Sequence, residues 1–366
     1  MNKMIVANLA YRPLRSLISI VAVAVEVTLI LLIVGLATGM LNDSRKRQEG
    51  TGADIIVRPP GSSNLIGLSG APVSEKVADI LRKQSHVVAV SPVVAQLTSG
   101  GNIEVIYGID LASFEGVGGP FHYLEGGPFQ GPDDMLVDDY FASANKVRVG
   151  NTVEVLNHKF RVAGVVEHGR GGRRFIPIRT MQDLIGAVGK ATMFYVKLDD
   201  PSRTEEAIAT LRTKLKNYQI YSMEEYTSLF SIANVPMLKQ FIWVVIGLGV
   251  LVGFLVVFLS MYTAVLERTR EIGVLKALGA SPGYVLNILL RETTLLAAAG
   301  SVLGILLSYV TRFTISSLVP GTLIQAIVPN WWPITAGIAL VGALLGAIYP
   351  GLKAARQDAV EALAYE

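Results

Sequence analysis

Four stretches of the sequence carry apolar residues in runs long enough to cross a bilayer. A hydrocarbon core about 30 Å thick needs roughly twenty apolar residues of helix. Ser16–Leu41, Phe241–Leu266, Thr293–Thr311 and Pro333–Leu352 meet that length. The first carries a single Asp, Glu, Lys, Arg or His, namely Glu26, and the other three carry none. The first run is also too long for the apolar part of a signal peptide, and "GLATGMLND" makes a poor cleavage site, so it reads as a retained anchor.

Between the first and second runs the pattern changes to short alternating segments. "ADIIVRP", "HVVAVSPVVAQL" and "IEVIYGIDL" predict strands. "VSEKVADILRKQS" predicts an amphipathic helix with Val77, Ile80 and Leu81 on one face. After a Gly/Pro-rich middle (Gly116–Pro132), "NTVEVLNHKFRVAGVVE" predicts a hairpin turning at Leu156-Asn157-His158. Then "ATMFYVKLDD", "SRTEEAIATLRTKLKN" and "YQIYS" give strand, helix and strand. The expected fold is therefore an α-helical membrane protein with four transmembrane helices plus an α+β domain. That domain would have a β-α-β porter-like part and a β-rich inserted subdomain. The expected division is 1–41, 42–238 and 239–366.

Composition agrees with a membrane chain. Hydrophobic residues make up 51% and charged residues 17%, where soluble domains hold about a quarter charged; mean hydropathy is +0.47. A net charge of +3 without a basic stripe argues against nucleic-acid binding. The absence of cysteine excludes disulfides and thiolate metal sites. The four histidines, His86, His122, His158 and His168, lack the i,i+4 spacing of a helical metal site. Lys3, Arg12, Arg15, Arg268, Arg270, Lys276, Arg291, Lys353 and Arg356 flank the spans on one side, against Arg45, Lys46, Arg47, Lys239 and Arg312 on the other. This bias predicts cytoplasmic termini and an extracytoplasmic large domain, although "SRKRQ" after the first span argues the other way.

Catalytic motifs are missing. There is no G-x-x-x-x-G-K-[ST] phosphate loop, and "GAVGK" (Gly186–Lys190) lacks its spacing. "HGRGGRR" (His168–Arg174) reads as a flexible solvated loop, with anion binding as the alternative. "PDDMLVDDY", with Asp133, Asp134, Asp138 and Asp139, reads as a solvated acidic turn, because it lacks the ligand pattern of a calcium loop. Glu26 is costly inside a span and marks either a functional site or a hydrogen-bonded packing residue. Gly249-x-x-x-Gly253, Gly300-x-x-x-Gly304 and Gly342-x-x-x-Gly346 predict close helix packing inside the bundle.

The one dense cluster of charge between apolar runs is "ERTREIGVLKALGAS", Glu267–Ser281. A helix over Ile272–Ala280 would place Ile272, Val274, Leu275 and Leu278 on one side. Gly273, Lys276, Ala277 and Ala280 would lie on the other. Gly279 suits the end of that helix, and Ser281-Pro282 suits the start of the next. The plain alternative is a passive connector in the headgroup layer.

That segment resembles the signature of the MacB/FtsX/LolC-type permeases, the ABC transporter class that works by mechanotransmission. "NLAYRPLRSLISIVAV", "MLVDDYFASANKVRVGNTVEVLNHKFRVAGVVE", "RFIPIRTMQDLIG" and "PGLKAARQDAVEALAYE" resemble further parts of the family in the same order. The match is closest to a MacB-like permease lacking the fused nucleotide-binding domain. The tail departs from the family at Ala359, where a proline is common. The resemblance implies that Glu267, Arg268, Arg270, Glu271, Ile272, Gly273, Leu275, Lys276, Ala277, Leu278, Gly279 and Ala280 form a coupling helix seated on a separate ABC ATPase. It implies no cofactor in this chain, with ATP and Mg held by the ATPase, and no catalysis by this chain itself. It further implies a second permease copy in a homodimer, a periplasmic adaptor, and inner-membrane export or extraction of a peptide, drug, lipid or lipoprotein. An FtsX-like signalling subunit that regulates an extracytoplasmic enzyme is the alternative.

Overall fold

The structure is a computed structural model and describes residues 13–62, 71–98, 104–318 and 323–357. The chain before Pro13 and the tail from Asp358, with Ala359, lie outside the described residues. The described residues fall into two units: a sheet unit (Gly39–Val235 with Ser316–Ile324) and a helical unit made of the remainder.

Helix α1 (Pro13–Glu49) contributes its last turns to the sheet unit. Then follow β1 (Ile55–Arg58), β2 (Val73–Ser74), α2 (Val77–Arg82), β3 (Val87–Thr98), β4 (Glu104–Ile109) and α3 (Leu111–Gly118). Next come β5 (Tyr123–Gly126), β6 (Asp134–Asp138), α4 (Asp139–Asn145), β7 (Thr152–Val155), β8 (His158–Val166) and β9 (Arg174–Pro177). The unit finishes with α5 (Ile178–Leu184), β10 (Lys190–Ala191), β11 (Met193–Leu198), α6 (Thr204–Lys214), β12 (Gln219–Ser222) and α7 (Met223–Ser228).

Strand order in the main sheet is β12-β1-β11-β3-β4-β9-β6-β8-β5, with β7 beside β8. The first four strands are two interleaved β-α-β crossovers. The β1–α2–β3 crossover leaves a gap that β11 fills, and β11–α6–β12 leaves one that β1 fills, the split β-α-β arrangement. The porter-like part expected from the sequence is thus present. The β-rich part continues the same sheet, because β3 is shared: Val87–Val93 pairs with β11 and Val93–Thr98 with β4. Strand β1 is buried along its whole length because both sheet faces are covered. Ile55 and Val57 pack with Leu81 of α2 and Ile208 and Leu211 of α6. Ile56 packs on the other face with Phe114 of α3 and Tyr226 of α7.

Local chemistry sets the connections. Leu156 and Asn157 both have positive φ (52° and 59°), as a two-residue type I′ turn requires, and Val155 pairs with His158. Leu156 tolerates this because its side chain packs on the core of the β-rich part. On α2 the buried residues are Val77, Ala78 and Leu81, while Ile80, expected on the apolar face, is 43% exposed. A helix of six residues is too short for spacing alone to fix its inward direction.

The acidic segment is not a solvated turn. Asp134 and Asp138 end β6, and both are buried between its neighbours β8 and β9. Asp134 accepts hydrogen bonds from the N–H groups of Gln130 (2.7 Å) and Gly131 (2.8 Å) and from Arg161 Nη2 (2.9 Å). Asp138 caps α4 by accepting from Phe141 N–H at 2.6 Å, and it faces Arg173 at 3.5 Å. The outer pair, Asp133 and Asp139, meet His158 and His168.

In the helical unit, α8 (Pro236–Glu267), α9 (Thr269–Ala277), α10 (Pro282–Leu318) and α11 (Trp332–Arg356) follow. With α1 these supply four helices long and apolar enough to cross a membrane. At 37 residues α10 is about 55 Å long, well beyond its apolar window. The glycine pairs serve packing inside the unit. A Cβ at Gly300 would lie 2.6 Å from Val23 Cβ, and one at Gly304 2.7 Å from Ala24 O, so α10 closes on α1. A Cβ at Gly346 would lie 2.7 Å from Phe254 O, so α11 closes on α8.

Burial pushes the Asp138 carboxyl up to about 6, with Arg173 and the Phe141 N–H pulling it down only in part. A raised acid binds a proton in the native state that the unfolded chain, titrating near 4, has already lost. Its contribution is therefore present at low pH and is lost as pH rises from about 4 through 6. Wild-type protein in detergent is expected to lose about 1–2 kcal/mol more stability than Asp138→Asn between pH 5 and 7.5. Thermal unfolding at the two pH values measures the difference.

Candidate coupling site

Helix α9 is a separate short element between two long helices. Its stop is a complete Schellman motif: Gly279 N–H donates to Lys276 O (2.9 Å) and Ala280 N–H to Leu275 O (3.0 Å), with Gly279 at φ 93°. Ser281 then caps α10, accepting from Tyr284 N–H at 3.3 Å, with Pro282 as the first helical residue. These stops follow the sequence expectation.

The inner face is held by charge as well as by apolar packing. Arg268 Nη1 meets Glu292 Oε2 of α10 at 3.2 Å, and both residues are buried. Thr269 Oγ1 donates to Val265 O at 3.1 Å. Ile272 packs with Val285 and Leu289 of α10 and with Ala354 and Ala355 of α11. Lys276 Nζ donates to Ala355 O (3.0 Å) and to Gln357 O, so a cation sits on the carbonyl end of α11, where the helix dipole favours it.

These contacts correct the faces expected from the sequence. The buried residues of α9 are Thr269, Ile272 and Gly273. Val274 and Leu278 of the apolar side are 45% and 81% exposed. Gly273 and Lys276 of the opposite, small side do not stand free: Gly273 lies in the seam, and Lys276 is engaged with α11. Leu275 is half-buried, and with Val274 it borders a groove of about 360 Å³ beside Val285 and Ile288. The outward face comprises Arg270, Glu271, Val274, Ala277 and Leu278, with Glu267 and Gly279 exposed at the ends and Ala280 half-buried. Sequence reasoning missed the role of Glu292. Its signal was a lone carboxylate at the rim of an apolar run.

Glu26 lies against α8. It is 4% exposed, its Oε1 has no hydrogen-bond partner, and its carboxyl occupies the space left by Gly253. A Cβ at Gly253 would fall 2.0 Å from Glu26 Oε2, and one at Gly249 3.5 Å from Glu26 Cγ. The histidines each sit beside a carboxylate: His86 by Asp199, His122 by Glu167, His158 by Asp133 and His168 by Asp139. The "HGRGGRR" loop is not a free solvated loop. It grips the last turn of α1, where Arg173 Nη2 donates to Asp43 Oδ2 at 3.0 Å. Gly253→Ala is expected to destabilise the detergent-solubilised chain by about 1–3 kcal/mol through overpacking. Adding Glu26→Ala should restore much of that loss, and a double-mutant cycle by thermal unfolding reads the coupling.

Residues 16–214 match the MacB-like periplasmic core domain, and residues 243–359 match the FtsX-like permease C-terminal domain. The uncharacterized ABC transporter permease YknZ of Bacillus subtilis is 26% identical over 232 residues, covering 59% of this chain and 55% of YknZ. The macrolide export ATP-binding/permease protein MacB of Escherichia coli is 25% identical over 387 aligned residues, 96% of this chain and 58% of MacB. The chain thus spans 55% and 58% of the length of these relatives. The solved periplasmic region of MacB from Actinobacillus actinomycetemcomitans matches 48% of this chain and 90% of its own, at 21% identity and a TM-score of 0.37. With both halves of the sequence matched in order, the chain belongs to the MacB/FtsX-type family of ABC transporter permeases.

Proposed function

We propose that this chain is the membrane subunit of an ABC exporter in which α9 seats on a separate ATPase. ATP-driven closure of that ATPase moves α9, and the spans carry the movement to the sheet unit outside the membrane. The observation that carries this reading is the exposed face of α9: Val274, Ala277 and Leu278 stand outward while Arg268 and Lys276 tie the opposite face down. Val274, Ala277 and Leu278 together give this anchored helix an exposed small apolar face, and a contiguous apolar face supports docking where a single residue would not. Such a subunit works as a pair of copies, with a periplasmic adaptor in envelopes that have an outer membrane. Its substrate class is peptide, drug, lipid or lipoprotein, in line with the export function named for MacB. The inner-membrane setting has both termini and Ser281 in the cytoplasm. The basic run after the first span is followed by the long sheet unit (Gly39–Val235), and long domains translocate largely regardless of flanking charge.

Leu278→Asp and Ala277→Trp are expected to weaken ATPase binding at least tenfold, since burying a leucine side chain is worth about 1.5–3 kcal/mol. The permease alone should unfold at an unchanged temperature. Gly273→Leu, by contrast, should lower the permease's own stability. Co-purification of the ATPase and thermal unfolding of the lone chain measure the two effects. Retention of the ATPase with normal coupling in both outward variants sinks the reading.

Orientation is tested by Ser281→Cys and Glu206→Cys in the cysteine-free chain. A membrane-impermeant thiol reagent applied to intact inner membranes should label Glu206→Cys and spare Ser281→Cys. The reverse pattern inverts the topology and removes α9 from the ATPase side.

A further inference from the structure

The chain reaches the sheet unit through α1 and leaves it through residues 229–235, and the two passages are built differently. At the first, the last turn of α1 is enclosed by buried polar contacts. Gln48 is buried between two tyrosines: its Nε2 donates to Tyr107 Oη at 3.0 Å, and Tyr195 Oη donates to its Oε1 at 2.8 Å. Gly171 N–H donates to Arg47 O at 2.6 Å. Arg170 Nε donates to Gly50 O (3.3 Å), and its Nη atoms donate to Pro120 O (2.9 Å) and Gly119 O (2.8 Å). Arg173 reaches Asp43 at 3.0 Å and Asp138 at 3.5 Å, with all three side chains largely buried. The glycines let the backbones meet. A Cβ at Gly50 would lie 1.8 Å from Gly169 O, one at Gly172 2.6 Å from Tyr107 Cδ2, and Gly171 has φ 57°.

In the second passage Leu229 and Phe230 still pack on the core of the sheet unit, and beyond them residues 231–235 hold themselves by local bonds. This stretch is a single 3-10 turn, Ile232–Asn234, in which Asn234 N–H donates to Ser231 O (3.1 Å) and Asn234 Nδ2 to Ser228 O (3.0 Å). Its residues are exposed or half-buried.

We propose that loop 169–173 and Gln48 form a rigid joint through which α1 moves the sheet unit, with Arg173 and Gln48 as positioning residues, while 231–235 yields. The inference rests on the permease reading above and adds an asymmetry to it: the first span delivers the movement and the second does not. Turning or sliding the end of α1 would separate the Asp43 carboxylate, the Gln48 amide and the Arg47 carbonyl from buried partners together. Each such separation carries a desolvation cost, so the joint resists rotation as well as translation. An exposed single turn has no such resistance.

The test is hydrogen exchange by mass spectrometry on the permease–ATPase complex in nanodiscs, with no nucleotide and with ATP plus vanadate. In wild type, α9, Met40–Glu49 and residues 169–175 are expected to change exchange rate on trapping. In Arg173→Met, and in the milder Asp43→Asn, α9 and Met40–Glu49 should still respond while the response at 169–175 falls at least threefold. Two glycines inserted after Asn234 should leave every response intact. An undiminished response at 169–175 in both variants overturns the joint, as does its loss on the glycine insertion. A wild type in which α9 responds and 169–175 does not overturns the joint alone. A wild type in which α9 itself stays silent overturns the permease reading and the joint with it.

Discussion

The buried pair of Arg268 and Glu292 determines where the short helix sits, and the functional reading depends on that position. Two charges taken out of water are costly, and their mutual attraction offsets the cost only in one geometry. Removing either partner takes an opposite charge away from the other in a low-dielectric site, which is destabilising. The pair is therefore a poor glue and a good locator: it permits few alternative positions of α9 against α10. Lys276 adds a second locator at the far end of the helix, where its ammonium completes carbonyls that α11 leaves without intrahelical donors. Between these two points the helix is held against rolling.

The spans are closed by glycine. Between helices in lipid, apolar side chains gain nothing by leaving the acyl chains for one another, so close van der Waals contact has to supply the attraction. Gly300 and Gly304 admit α1, and Gly346 admits α8. Gly253 admits a carboxyl group instead, which sets the Glu26 contact apart from the other three. The same seam between α1 and α8 is pinned by a hydrogen bond between Ser19 Oγ and Ser260 Oγ at 2.7 Å.

Much of this was legible in the sequence. The spans were readable because bilayer thickness fixes a length, and the strands because both sheet faces are covered or alternate cleanly. The Leu156-Asn157 turn and the Gly279 stop were readable because only a few backbone conformations close such connections. The faces of α9 were not. On nine residues the apolar positions divide between those that fold the chain and those kept for a partner, and Leu278 looks the same in either role. The loop at His168–Arg174 and the acids at Asp134 and Asp138 were misread for a different reason. Their charged partners are remote in the chain, Arg173 lying 130 positions from Asp43 and 35 from Asp138, and Arg161 27 from Asp134, and spacing carries no information about such contacts. Glycine and arginine in that loop signalled exposure by composition while the structure uses them for close approach and buried pairing.

The size of the outward face sets a further constraint on how the machine assembles. A helix of nine residues presenting one leucine, one valine and one alanine cannot by itself bury the roughly 800 Å² per partner of a stable interface. The proposed seating on an ATPase would therefore require added surface, and the Lys276 tie holds the end of α11 beside α9, where it could contribute. The proposed pair of copies would supply the rest by effective concentration, since a second helix would dock on a partner already held in place. A weak contact made twice would also suit the proposed cycle: a firm single attachment would resist separation of two ATPases, whereas paired modest contacts could follow them apart and together.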